Sequence, residues 1–144
     1  MLFRSPYRLE RFVDAQDRGG TYDRAVAELR AGRKRSHWMW FVFPQIAGLG
    51  SSPMAQEFAI GSLAEARAYL AHPVLGPRLA ECARLLNTAA DGTSAAEILG
   101  PVDAMKLRSS MTLFAAAAPA EAPFNDVLTR YFDGVPDPAT LPRL

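Results

Sequence analysis

The sequence predicts an all-α domain of about eight or nine short helices. Apolar residues recur at the three- and four-residue spacing of one helix face along most of the 144-residue chain. Capping and helix-stopping residues separate these apolar segments. Only residues 38–43 have the composition of a strand, and no second strand-like segment exists to pair with them. These three observations together favour a compact single helical domain.

The first two helices are predicted from apolar faces on either side of Gly19-Gly20, a pair that breaks helices. The first face consists of Leu9, Phe12, Val13 and Gln16. The second face consists of Tyr22, Ala25, Val26 and Leu29. Gln16 would bring an amide to the core face, where it either satisfies backbone groups or reaches into a pocket.

The next segment, Ser36–Gln45, contains both tryptophans of the chain. We expect residues 38–43 to form a short central helix that is apolar on all sides. Ser36 is the predicted N-cap, and Pro44 ends the helix.

The later helices are bounded by residues that cap or stop helices. The predicted boundaries are Ser52-Pro53 (start), Ser62 with Glu65 (capping box), His72-Pro73 (stop), a helix from about Val74 to Thr88, Ser94 with Glu97 (capping box), Gly100 (stop), Pro101 (start of a helix towards Ala118) and Gly134 (end of a helix over Phe124–Tyr131). Residues 1–134 would form the domain. Residues 135–144 contain three prolines and predict an extended, peripheral tail.

Composition excludes several classes of protein. Hydrophobic residues make up 49% and charged residues 22%, which argues against disorder. A net charge of +1 gives no overall attraction to nucleic acid or to membranes. The single cysteine, Cys82, excludes an internal disulfide and a cysteine-based zinc site, and its helical position predicts a buried thiol. Residues 1–6 lack the apolar core of a signal peptide, so we expect a cytoplasmic protein.

A basic run precedes the predicted central helix. Arg33, Lys34 and Arg35 lie next to Ser36, and helix amino termini attract anions. Arginine grips phosphate or carboxylate bidentately, so an anion site is one interpretation and a solvated charged turn is the other. The turn at residues 48–53 would be a second such site, although it lacks the ending of a P-loop.

A second polar stretch lies on the predicted helix after Pro101. Asp103, Lys106 and Ser110 share one face there, which either pins neighbouring helices or lines a pocket. His37 has the chemistry of a general base, with a structural role as the alternative. The candidate catalytic residues are therefore His37, Lys106 and Ser110. The predicted ligand-binding set is Gln16, Arg33, Arg35, Ser36, His37, Trp38, Trp40, Gln45, Lys106, Ser109 and Ser110.

Four segments of the chain resemble a known bacterial family, the domain of unknown function 1810. They are Arg11–Gln16, Ser36–Gln45 with Gly48–Gly50, Ala68–Gly76 and Lys106–Phe114. The resemblance implies a compact, mainly helical domain and no particular activity. Members of the family are often labelled calpastatin, a disordered and repetitive inhibitor, and this chain has neither property.

A looser resemblance links Ala15-Gln16 and the tryptophan segment to the NADAR family, which processes ADP-ribose-type metabolites. The glutamate-histidine-aromatic run of that family has no counterpart before Ala15.

Two functions are compatible with these residues. The first is a pocket that binds or processes a small phosphorylated metabolite, such as a nucleotide or an ADP-ribose-like compound, with Trp38 and Trp40 stacking a base. The second is a non-enzymatic protein–protein interaction module. Whether the protein is an enzyme is left open. We expect no cofactor, no metal, no nucleic acid and no membrane partner, and a monomer or weak homodimer.

Overall fold

The computed structural model describes residues 7–144 of the chain, so residues 1–6, used above to argue against a signal peptide, lie outside it. The described part is helical, as predicted. Its helices are α1 (Glu10–Asp17), α2 (Thr21–Arg30), α3 (Met39–Val42), α4 (Pro53–Glu57), α5 (Leu63–Ala71), α6 (Leu75–Leu86), α7 (Ala95–Leu99), α8 (Pro101–Ala117) and α9 (Ala122–Phe132). Two 3₁₀ turns, Arg18–Gly20 and Leu141–Arg143, complete the elements. Within residues 7–144, no helix is both long and apolar enough to cross a bilayer.

The longest helix, α8, lies at the centre of the domain. It contacts α5, α7 and α9, and its residues 109–115 are all buried. A run of seven buried residues covers every side of a helix, so α8 is enclosed by its neighbours. Its amino-terminal turns are different, because Val102 and Met105 are exposed there.

Local capping explains several of the helix boundaries. Ser94 and Glu97 form the predicted reciprocal capping box. Ser52 accepts the backbone N–H of Ala55, as expected for an N-cap before proline. His72 ends α5, and its Nδ1 accepts the backbone N–H groups of Val74 and Leu75, at the start of α6.

Residues 38–43 form a helix rather than a strand, but the predicted N-cap is wrong. The helix is the single turn α3, its N-cap is Trp38, and no side chain caps it. The Ser36 hydroxyl instead donates to the carboxylate of Glu28 in α2. After α3, Ile46 pairs with Ile60 in an isolated parallel bridge, which fixes the position of the intervening turn.

Cys82 is fully buried, as predicted, and burial raises the pKa of its thiol to about 12. The thiol is therefore protonated near neutral pH and unreactive.

The tail after Gly134 is held against α8 by polar contacts. The Arg108 guanidinium donates to the carbonyl oxygens of Val135 and Pro136. The backbone N–H of Asp137 donates to the Thr112 hydroxyl at 2.8 Å. Thr140 is completely buried. Apart from the terminal 3₁₀ turn, these residues form no helix, and their prolines explain why.

Candidate functional site

Ten of the eleven predicted ligand-binding residues separate into three places in the structure, and the eleventh, Trp40, is partly buried beside Lys106. One group lines a groove beside the start of α8, a second is turned into the protein interior, and a third is exposed on the segment between α2 and α3. The groove group is Gln45, Lys106 and Ser109. The interior group is Gln16, Ser36, Trp38 and Ser110, of which Ser36 is half-buried and the others buried. The exposed group is Arg33, Arg35 and His37.

The backbone donors before α3 are occupied by the protein's own carboxylate, Glu28. Its Oε1 accepts the N–H groups of Arg35 at 2.7 Å and Ser36 at 3.0 Å. The same oxygen accepts the indole Nε1–H of Trp38 at 2.9 Å. The Ser36 hydroxyl donates to Oε2 at 2.6 Å. The predicted anion-binding turn therefore exists, but its anion is an internal side chain.

These contacts determine the ionisation of Glu28. Partial burial raises the pKa of the carboxyl, but the hydrogen bonds from Ser36, Arg35 and Trp38 outweigh that effect and lower the pKa to about 2. The carboxylate is thus charged at neutral pH, and an external phosphate at this position would meet a negative charge.

Trp38 cannot act as the stacking surface predicted for it. Its side chain is completely buried, its Nε1 is bonded to Glu28, and Lys34 Nζ lies 5.3 Å from the centre of its ring. A nucleobase would have to open the core to reach it. Trp40 is only partly buried, and Lys106 Nζ lies 5.1 Å from its ring centre.

Gln16 holds core groups together. Its Nε2 donates to the carbonyl oxygen of Phe41 at 2.8 Å and contacts the Tyr69 hydroxyl at 3.3 Å. Its Oε1 accepts from Arg78 at 3.2 Å. The sequence allowed Gln16 either to satisfy interior groups or to reach into a pocket. The structure supports the first role, because all of its partners are backbone and side-chain groups of the protein.

Ser109 and Ser110 are neighbours in sequence but face different surroundings. Ser110 is completely buried, and its hydroxyl has no hydrogen-bond partner among the described residues. It does not line the groove, so contact between Ser110 and a ligand would require the core to open. Ser109 lines the groove, and its hydroxyl lies 3.2 Å from Asp137 Oδ2.

The groove lies between the start of α8, the turn before α4 and the tail. Its volume is about 520 Å³. Its lining consists of Gln45, Leu49, Gly50, Ser51, Ser52, Ala55, Val102, Met105, Lys106, Ser109, Asp137 and Ala139. The groove thus brings together the two segments that the sequence singled out separately, the tryptophan segment with its following turn and the polar face of α8.

Lys106 is the single cation of this lining, and its position is fixed from two sides. Its Nζ lies 3.6 Å from Asp103 Oδ1, and the ring of Trp40 lies beneath it. Asp103 Oδ2 is bound more closely by Lys34, at 3.0 Å. Because Asp103 is shared between two lysines, the charge of Lys106 is only partly compensated.

Sequence reasoning missed two carboxylates of this region. Glu28 gives no local signal, because its partners lie seven to ten residues further along the chain. Asp137 lies in a tail that was expected to be peripheral, yet its Oδ2 accepts from Thr140 at 2.6 Å and lies near Ser109. Both are recognisable only from tertiary structure.

Comparison with known proteins assigns the chain to a family. The family described as "Protein of unknown function (DUF1810)" matches residues 6–144. The chain belongs to this family.

A solved structure is also similar over nearly the whole chain. It is the crystal structure of the conserved hypothetical protein Rv1873 from Mycobacterium tuberculosis, with 54% sequence identity and a TM-score of 0.92. The similarity covers 97% of this chain and 98% of that one. No curated protein matches. Neither match supports the looser resemblance to the NADAR family, and neither description names an activity.

Proposed function

We propose that the groove beside α8 binds a small phosphorylated metabolite. The supporting observation is that the ammonium group of Lys106, positioned over Trp40, shares one groove with the uncharged side chains of Gln45 and Ser109. A lysine ammonium is a compact charge suited to a phosphate, and neighbouring amide and hydroxyl groups supply hydrogen bonds. The Gln45 amide forms no side-chain hydrogen bond within residues 7–144, so it is free to donate.

One wall of the groove is apolar, which favours a ligand that has an apolar part next to its phosphate group. Val102 and Met105 form one wall and are 66% and 73% exposed. Asp137 lies in the same lining, and its Oδ2 already accepts from Thr140. The ligand class is therefore one phosphate group on a partly apolar body. Among residues 7–144, no aromatic ring lines the groove, so a nucleotide would be held there without base stacking from these residues.

Tryptophan fluorescence provides the test, because Lys106 lies against Trp40. The protein is titrated to millimolar concentration with inorganic phosphate, a hexose phosphate, AMP and ADP-ribose. We expect the organic phosphates to change the emission and to raise the melting temperature. The Trp40→Phe variant identifies the reporter, since the buried Trp38 remains in it.

The Lys106→Gln variant should lose this response. Arg67→Gln is the matched control, because Arg67 is exposed on α5 and its side chain forms no hydrogen bond or ion pair in the described part of the chain. Equal weakening in both variants would indicate attraction to overall charge and would count against a site. An absence of any response in the wild-type protein would refute the proposal.

The exposed pair Val102 and Met105 favours a second function, a protein–protein interaction module. This function predicts self-association or capture of a protein through the α8 wall. Light scattering on the wild-type protein and on Met105→Gln tests it. A dimer that the substitution abolishes, with an unchanged melting temperature, would support the module, and a monomer at every concentration together with phosphate binding would exclude it.

A further inference from the structure

The segment between α2 and α3 presents its side chains alternately to the interior and to solvent. Lys34, Ser36 and Trp38 point inward, to Asp103 and to Glu28. Arg33, Arg35 and His37 are exposed. The exposed basic side chains thus alternate with inward ones along a segment whose backbone bends at Ser36 and His37. We call Arg33, Arg35 and His37, together with the exposed Arg30 at the end of α2, the basic stripe.

The arginines of the basic stripe are uncommitted. Their side chains form no hydrogen bond or ion pair within residues 7–144. Several other arginines are engaged by the protein itself. Arg78 pairs with Asp17 at 2.8 Å, and Arg108 holds the tail. Three unengaged guanidinium groups within six positions are a local excess of charge in a chain whose net charge is only +1.

The acids that could neutralise the basic stripe are turned away from it. Glu28 is held by the backbone N–H groups and the indole behind the stripe, and Asp103 is bound by Lys34 and Lys106. The inward contacts that hold the segment therefore also engage these two acids. The guanidinium groups of the stripe face solvent.

We propose that the basic stripe binds an extended acidic segment of a partner protein. Arg33 and Arg35 are alternate residues with exposed side chains, and carboxylates at alternate positions of an extended peptide, ~6.6 Å apart, can reach both of them. Each guanidinium can donate two N–H groups to one carboxylate. Single-stranded nucleic acid fits less well, because Trp38 is buried and Trp40 lies against Lys106, so neither tryptophan adds a stacking surface to the stripe.

The test uses a fluorescent peptide of alternating glutamate and serine, measured by anisotropy at low salt. A peptide of the same composition with its glutamates in one block, and an oligothymidylate of equal charge, are the comparisons. We expect the alternating peptide to bind most tightly and to be released as the salt rises to about 0.5 M. Arg33→Gln/Arg35→Gln should weaken binding roughly five- to tenfold, as expected for the loss of two exposed ion pairs.

Arg67→Gln/Arg84→Gln is the matched control, since both residues are exposed, unengaged in the described chain and remote in sequence, and the change in net charge is the same. Unchanged binding by this control supports the stripe, and equal weakening overturns it. Tighter binding of the oligothymidylate, or no binding of any probe, also overturns the proposal. Lys106→Gln should bind the peptide normally, which distinguishes this surface from the groove.

Discussion

The Glu28 carboxylate accepts the indole N–H of Trp38 at 2.9 Å and, through the same oxygen, two backbone N–H groups. The side chain of α2 thereby fixes both the entry into α3 and the orientation of the buried tryptophan. Lys34, which lies over that ring, extends the connection to Asp103 in α8. Polar contacts thus lead from Glu28 in α2 through Trp38 and Lys34 to Asp103 in α8. The basic stripe lies beside the first of these contacts, and Lys106 of the groove pairs with Asp103 at the last.

The first prediction concerns the loss of this carboxylate. Glu28→Gln keeps an oxygen for the three N–H donors of Oε1, but it removes the negative charge and puts an amide NH₂ where Oε2 accepts the Ser36 hydroxyl. We expect the free energy of unfolding to fall by ~1–3 kcal/mol, as is typical for hydrogen bonds to a charged group. Urea denaturation measures the change. Asp23→Asn, on the exposed face of α2, is the control, and equal effects of the two substitutions would contradict the role of Glu28.

The second prediction concerns acid. The pKa of Glu28 is about 2 in the folded protein and 4.5 in a model peptide, so its ionised form stabilises the fold. This stabilisation is complete above pH 4.5 and is lost as the pH falls towards 2. We expect the melting temperature of the wild-type protein to fall more steeply between pH 5 and pH 2 than that of Glu28→Gln. Parallel curves for the two proteins would show that Glu28 does not contribute.

The helices could be predicted from the sequence because their signals are local. A capping box needs only Ser94 and Glu97, and an apolar face needs only a few turns of chain. The burial of Met39, Phe41 and Val42 in α3 followed from its composition. Its N-cap did not, because Ser36 is bound by Glu28, a tertiary contact that competes with capping.

The groove could be predicted only in part. Gln45, Lys106 and Ser109 belong to segments that were singled out as functional, and the fold brings them together. Asp137 joins them from 28 positions after Ser109, a distance at which sequence pattern carries no information. The direction in which a side chain points could not be predicted from the sequence either. One position on a helix rotates a residue by about 100°, which separates the groove-facing Ser109 from the buried Ser110.

The third prediction uses this pair of serines. The Ser110 hydroxyl is buried without a partner, and a buried unpaired hydroxyl opposes folding. Ser110→Ala should therefore leave the free energy of unfolding unchanged or raise it by up to ~1 kcal/mol. Ser109→Ala gains the same helix propensity but loses contacts to Met105 and Asp137, and it should lower stability by ~0.5–1.5 kcal/mol. A stability loss in Ser110→Ala as large as that in Ser109→Ala would show that Ser110 has a partner.

The fourth prediction concerns the close approach of α5 and α6. A Cβ atom added to Gly76 would lie 2.0 Å from the carbonyl oxygen of Leu70, which is backbone and cannot rotate away. Gly76→Ala must therefore separate the two helices, and we expect it to lower the free energy of unfolding by ~3 kcal/mol or to prevent folding. Soluble yield and urea denaturation measure this effect.

Gly20→Ala is the matched control for this steric argument. Gly20 has a left-handed backbone with φ of 71°, and a Cβ atom there would meet nothing within 4 Å. Its substitution should cost only the conformational strain, ~1–2 kcal/mol. If Gly76→Ala were no more destabilising than Gly20→Ala, α5 and α6 would lie further apart than the 2.0 Å distance from the added Cβ atom to Leu70 O indicates. That outcome would contradict the steric argument for the packing of α6 against α5.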